Sequence, residues 1–133
     1  MKKIIVAMFT MLAAVCLLFA ACFVDLPAPP EGGRQQIGNY TGTGVGTAWG
    51  HEGGIIRVTL IMEDGWITVV TIIDGADGTD PETPYHWDPV KLHAEAFIMA
   101  WNSVEIDNVA GSTVSADAVR IAARAALLQI TNP

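Results

Sequence analysis

A paired apolar pattern in the middle of the chain limits the fold more than any other feature. Two runs rich in β-branched residues, 54–63 and 66–73, are separated by the dipeptide Asp64-Gly65. Asp-Gly suits the two positive φ angles of a type I′ turn, which joins antiparallel strands. The first run alternates, which predicts one buried face formed by Ile56, Val58, Leu60 and Met62.

A glycine-rich segment precedes this hairpin and predicts a further strand. Residues 39–51 alternate glycine with small or β-branched residues, and glycine in a strand permits the close approach of a neighbouring backbone. The spacing is not the G-x-G-x-x-G of a dinucleotide-binding loop, because Thr47 and Trp49 stand where the third glycine is required. We therefore expect a strand rather than a nucleotide loop.

Two apolar repeats of helical period follow the hairpin. Asp88 and Pro89 are residue types of a helix N-cap and first position, which predicts a first helix over 89–101. A second helix is predicted over 116–129, with Ser115 as its cap. The stripes expected to face the sheet are Val90, Ala94, Phe97 and Trp101 in the first helix, and Ala118, Ile121, Ala122, Ala125 and Leu128 in the second. The fold class is therefore α+β: a small antiparallel sheet with a β-hairpin, and two helices packed on it.

The amino-terminal residues predict export. Two lysines are followed by an apolar run that ends at Cys22, directly after two alanines. This pattern is typical of a signal peptide, and its end resembles the lipobox of bacterial lipoproteins. Cleavage would leave a lipidated Cys22 as the first residue, anchored at the extracytoplasmic or periplasmic face of the cell membrane. A plain signal peptide and a membrane anchor are the alternatives, although the run is shorter than the ~20 residues of a bilayer span.

Three segments are expected: a signal peptide over 1–21, a flexible tether over 22–37 and one domain over 38–131. The chain has a formal net charge of −7, and loss of the two signal-peptide lysines takes this to −9. Such a charge repels phosphate backbones, so nucleic acid is not an expected partner. Only Cys22 of the two cysteines remains after cleavage, which excludes an internal disulfide.

An acidic loop over 74–87 raises the question of calcium, since Asp74, Asp77 and Asp80 are evenly spaced. The carboxylate positions of an EF-hand loop are absent, which favours a solvated turn. The histidines also lack metal-binding spacing. No metal site is expected.

Small and hydroxyl residues stand directly before the second helix. Gly111, Ser112 and Thr113 lead into Ser115, which predicts backbone N–H groups that point outward from a helix start. Such an end attracts an anion, phosphate above all. A well-capped helix after a tight turn explains the same residues. Both interpretations stay open on spacing alone.

From Tyr40 to Ile130 the chain resembles the FMN-binding domains of membrane-bound sodium- and proton-linked electron-transfer complexes and of small exported flavoproteins. The family motif has Asp, two variable positions, Ser or Thr, Gly or Ala, Ala, and Thr. Here Asp107 to Thr113 has the sequence DNVAGST, between one helix and a final Ala-rich helix. The resemblance implies that a flavin transferase takes FMN from FAD and attaches it to Thr113 through a phosphodiester bond.

The resemblance also assigns roles to neighbouring residues. Gly111 would allow close backbone approach, and Asp107 would belong to the recognition signal of the transferase. Glu82 and Thr83 match a family loop that lies near the flavin.

The chain departs from the family pattern at two positions of the motif. Ala110 replaces Ser or Thr, and Ser112 replaces Ala and offers a second hydroxyl beside Thr113. Trp87 is our expected aromatic neighbour of the flavin. Arg120 and Arg124 could offset the acidic charge near the phosphate.

These features predict a membrane-anchored FMN-binding electron carrier whose redox donor and acceptor the sequence does not identify. The alternative is a flavin-free lipoprotein of the same fold that serves as a binding or adhesion module. An enzyme with its own substrate ranks third, because no general acid or base is paired with a substrate pocket.

Overall fold

The computed structural model describes residues 32–50, 53–75, 84–108 and 112–133. Three antiparallel strands form one sheet in the order β1-β2-β3, and two helices pack against it. The elements are β1 (Gly42–Trp49), β2 (Ile55–Glu63), β3 (Trp66–Ile73), α1 (Pro84–Trp101) and α2 (Thr113–Thr131). Helix α2 lies on β1 and β2, and α1 lies on β3. The predicted α+β class is confirmed.

The hairpin forms as the sequence predicts. Asp64 and Gly65 have φ angles of 48° and 78°, both in the left-handed region that a type I′ turn requires. The predicted inner residues Ile56, Val58, Leu60 and Met62 are completely buried. Their burial supplies the centre of the core, and the chain carries β-branched residues on the outer face of the same strands.

The glycines of β1 allow α2 to lie directly on the sheet. A Cβ atom built on Gly44 would be 1.9 Å from the carbonyl oxygen of Ala126, and one built on Gly46 would be 1.9 Å from that of Ala122. No side chain fits at either position, because real Cβ atoms do not approach an oxygen so closely. The predicted close backbone approach is confirmed, and the neighbour is α2.

Helix α1 begins at Pro84, which is earlier than predicted, and Pro89 lies inside it. Proline has no N–H, so it leaves a carbonyl one turn earlier without its helical donor. The extra turn buries Trp87 in the core, and this burial offsets the missing bond. Of the stripe predicted for this helix, Val90, Ala94 and Phe97 are buried and Trp101 is partly buried.

The stripe predicted for α2 is wrong at its two large residues. Ile121 and Leu128 are exposed, and the face toward the sheet is formed mainly by alanines, with Val119 and Ile130. The glycines of β1 leave room only for small side chains, so α2 turns its alanine face inward. Ala118 and Ala122 are buried as expected.

Asn102 joins three parts of the fold, which the sequence analysis did not predict. It directly follows α1, is buried and has a φ of 54°. Its side-chain amide donates to the carbonyl oxygens of Gln35 at 2.8 Å and Gly65 at 2.9 Å. Its Oδ1 accepts a hydrogen bond of 2.6 Å from the backbone N–H of Ile67. The hairpin turn, the segment before β1 and the end of α1 therefore depend on one side chain.

Replacing Asn102 by Ala is expected to lower the free energy of unfolding by about 3 kcal/mol, because it leaves the N–H of Ile67 buried without an acceptor. The φ of 54° adds strain for any residue with a Cβ that lacks asparagine's local hydrogen bonds. Urea unfolding measures the loss. Asn39→Ala, which removes an exposed amide bonded to Gln36, is the matched control and should change stability far less. Equal losses in the two variants would contradict the role given to Asn102.

Candidate functional site

Helix α2 begins at Thr113, whose side chain is exposed. Ser112 stands at the N-cap position with φ −140° and ψ 39°, and its side chain makes no capping hydrogen bond. Its carbonyl oxygen accepts the first helical bond, from the N–H of Ala116 at 3.0 Å. The predicted cap, Ser115, lies within the first turn and is buried, so that prediction is wrong.

Arg120 holds the start of the motif against α2. Its Nε and Nη2 donate to the carbonyl oxygen of Ile106 at 3.0 and 2.7 Å, and Nη2 also donates to Oδ1 of Asn108 at 2.9 Å. Its Nη1 forms an ion pair with Asp117, one turn earlier in the helix. The guanidinium thus fixes 106–108 along the second turn of α2 through the backbone carbonyl of Ile106 and the side chain of Asn108, while Asp117 holds the guanidinium in place.

Arg124, one turn later in α2, also binds a residue of the segment that precedes the helix. Its Nε donates to Oε1 of Glu105 at 2.7 Å, and its Nη2 pairs with Oε2, so the carboxylate is held at both oxygens. The hydrogen bond to Arg124 lowers the pKa of Glu105, and the same bond raises the pKa of Arg124. Both arginines are therefore bound to acceptors of their own chain. A role for either of them in offsetting charge at a phosphate stays a prediction.

The Glu105 pair gives an expected pH dependence. Because the folded-state pKa of Glu105 lies below its ordinary value of 4.5, the pair stabilises the fold above that pH. This stabilisation is lost as the pH falls through the lowered pKa. A Glu105→Gln variant should be slightly less stable than the parent at pH 7, and the two should converge at acidic pH. Thermal unfolding at pH 7 and pH 3 measures both differences. A gap that persists unchanged at pH 3 would show that the charge is not responsible.

The remaining predicted residues lie in different surroundings. Asp107 is exposed, within the segment that Arg120 holds. Trp87 belongs to the hydrophobic core, and its contact with a flavin stays a prediction. Four predicted residues lie outside the described part of the chain: Cys22, Glu82, Thr83 and Gly111. The predicted signal peptide and most of the predicted tether lie outside it as well.

A cleft that the sequence analysis did not predict lies at the other end of α2. It has a volume of about 450 Å³ and is lined by Gly33, 35–37, 101–105 and Leu127. Leu127 is fourteen residues beyond Thr113, which corresponds to about 21 Å along the helix axis. The cleft is therefore not next to Thr113. Trp101, which lines it, has a buried indole N–H without a hydrogen-bond partner.

Two further observations apply to the described residues. No three His, Cys, Asp or Glu side chains there are grouped closely enough to hold a metal ion. Neither of the two helices has the length and apolar character needed to cross a membrane. Comparison with protein-family models, with curated proteins and with solved structures finds no match for this chain.

Proposed function

We propose that this chain is an exported, lipid-anchored FMN-binding protein that carries electrons, with FMN attached through its phosphate to the hydroxyl of Thr113. The observation that supports this most is the position of Thr113. It is exposed at the first residue of a 19-residue helix, after a serine whose side chain does not cap that helix. A helix N-terminus favours a phosphodiester there, because its N–H groups carry partial positive charge.

The chain's own residues would receive and orient the cofactor. The Thr113 oxygen would form the new bond to the FMN phosphorus, while AMP leaves FAD and the hydroxyl proton is lost. Arg120 would keep 106–108 fixed on α2, so that the transferase meets the start of the motif held in one place with Asp107 exposed. A bound flavin would supply the redox chemistry, and the protein would supply its position and its electrostatic surroundings.

A flavin-free binding module is the second candidate function. The cleft of about 450 Å³ favours it, because a small ligand could bind there without any contact with Thr113. The two departures from the family motif, Ala110 and Ser112, support the same alternative. The domain would then bind its ligand through the far end of α2.

Production of the full chain together with a flavin transferase separates the two functions. We expect the intact mass to rise by one FMN less one water, and the colour to survive denaturation. A flavin that is released on denaturation would indicate noncovalent binding. Protein without any flavin would overturn the electron-carrier proposal and favour the binding module.

A further inference from the structure

Helix α2 has a second apolar face, and it points away from the sheet. Val114, Ile121 and Leu128 are spaced by seven residues and are 55%, 56% and 62% exposed. We call these three residues the outer row. Because the opposite face of α2 is in the core, the helix is apolar on two sides. A helix with this pattern usually packs on two sides as well.

The residues that flank the outer row differ on its two sides. At 100° per residue, Ala118 and Ala125 lie along one side, and Asp117 and Arg124 lie along the other. The row and its alanines follow the alternating spacing of four and three residues that is typical of helices packed in pairs. Ala118 is already buried within the chain, and Ala125 is partly exposed. Such small flanks let two helix axes approach to about 8 Å.

We propose that the outer row packs against the outer row of a second copy of this chain, with the two α2 helices antiparallel and crossing at Ile121. A two-fold axis at Ile121 sets Val114 opposite Leu128 of the second copy. This contact is isologous, as in most soluble dimers.

The charges that flank the outer row favour a second copy of the chain as the partner, and they favour the antiparallel orientation. In an antiparallel pair the charged side of one outer row lies beside the charged side of the other. Asp117 is then almost level with Arg124 of the second copy, and the two-fold axis makes this contact occur twice. A parallel pair would set both charged residues against the alanine side. Asp117 and Arg124 already pair with Arg120 and Glu105 of their own chain, and their side chains are still about half exposed. The contact across the axis would therefore extend these two ion pairs rather than replace them. The chain has a net charge of −7, and these two pairs offset the repulsion between copies along the contact.

The same charges disfavour an anionic membrane as the occupant. The outer row is flanked by one acidic and one basic residue, and no cluster of lysines or arginines lies beside it.

The apolar surface available for the contact is small. Leu92 and Met99 of α1 are also exposed and are seven residues apart, so they add to the apolar surface of the two helices. One helix face is smaller than the ~800 Å² that a stable interface buries on each partner, so we expect a reversible dimer with a micromolar Kd.

Cysteine cross-linking tests both the contact and its direction. Full-length Ile121→Cys is produced in cells, oxidised in its native membranes and digested, and the linked peptides are identified by mass. A 121–121 disulfide is expected, together with 114–128 links when Val114→Cys and Leu128→Cys are produced together. Val69→Cys is the matched control, because Val69 is an exposed aliphatic residue on the sheet. Links at 121 no more frequent than at 69 would overturn the dimer, and 114–114 links would overturn its direction.

Sedimentation of the full chain in density-matched detergent provides an independent measurement. Ile121→Asp should be monomeric at concentrations where the parent and Val69→Asp are dimeric. Should Ile121→Asp fail to fold, the cross-linking result decides. The inference does not rest on the flavin: Thr113→Val should still dimerise, and a dimer without flavin would disprove only the electron-carrier proposal. A parent chain that is monomeric up to hundreds of micromolar would contradict the dimer.

Discussion

Thr113→Val is expected to remove covalent flavin completely while leaving the fold intact. Valine keeps the branched shape of threonine and lacks the oxygen that would bond to the phosphorus. The side chain is exposed, so the free energy of unfolding should change by less than about 0.5 kcal/mol. Flavin fluorescence in a denaturing gel, with intact mass on the same sample, measures attachment. Urea unfolding confirms that the variant is folded.

Ser112→Ala is the matched control for this variant, because it removes the neighbouring hydroxyl. Ser112 stands at the N-cap position, and its side chain makes no capping hydrogen bond to the helix. Removal of its hydroxyl should therefore leave the start of α2 unchanged. We expect flavin to remain on this variant. The opposite pattern, with the signal lost in Ser112→Ala and kept in Thr113→Val, would move the attachment to Ser112. Fluorescence from both variants would mean that the flavin is bound elsewhere.

The strands could be predicted from the sequence because their determinants are local. Asp64-Gly65 fixes the turn, and alternation in the preceding run fixes which side chains of β2 face inward. In β3 a register shift interrupts the alternation, so that Ile67 and Ile72 are the buried residues. The inner face of α2 could not be predicted in the same way. That helix has two apolar stripes, and periodicity alone cannot choose between them. The choice depends on the glycines of β1, which accept alanines and exclude Ile121 and Leu128.

The candidate site also has one part that the sequence predicts and one part that it does not. The sequence places Thr113 directly before a helical segment, and the structure makes it the first helical residue. The apolar pattern predicts a helix from 116 with Ser115 as its cap, whereas the helix begins about a turn earlier, at Thr113. The partners of Arg120 are mainly a backbone carbonyl and an asparagine far along the chain. No motif encodes such bonds, because they form only when the segment before α2 folds back on the helix.

The close contact between β1 and α2 predicts a large loss of stability when a glycine of β1 is replaced. In a Gly46→Ala variant the new Cβ would lie 1.9 Å from the carbonyl oxygen of Ala122, so α2 would have to shift by more than 1 Å. Overpacking of this kind is expected to lower the free energy of unfolding by about 3 kcal/mol. Urea unfolding measures the loss. Because α2 carries Thr113, flavin attachment should also fall where the variant remains folded.

Gly42→Ala is the control from the same strand, because its Cβ would lie 3.6 Å from Cγ2 of Ile130, an ordinary contact. It should change stability by less than about 1 kcal/mol, since alanine loses less backbone entropy than glycine on folding. A second comparison identifies the obstructing atom. Adding Ala122→Gly to Gly46→Ala should not restore stability, because the atom in the way is a backbone oxygen that glycine keeps. Recovery in the double variant would mean that the helix and the strand are separated by side chains rather than by backbone contact.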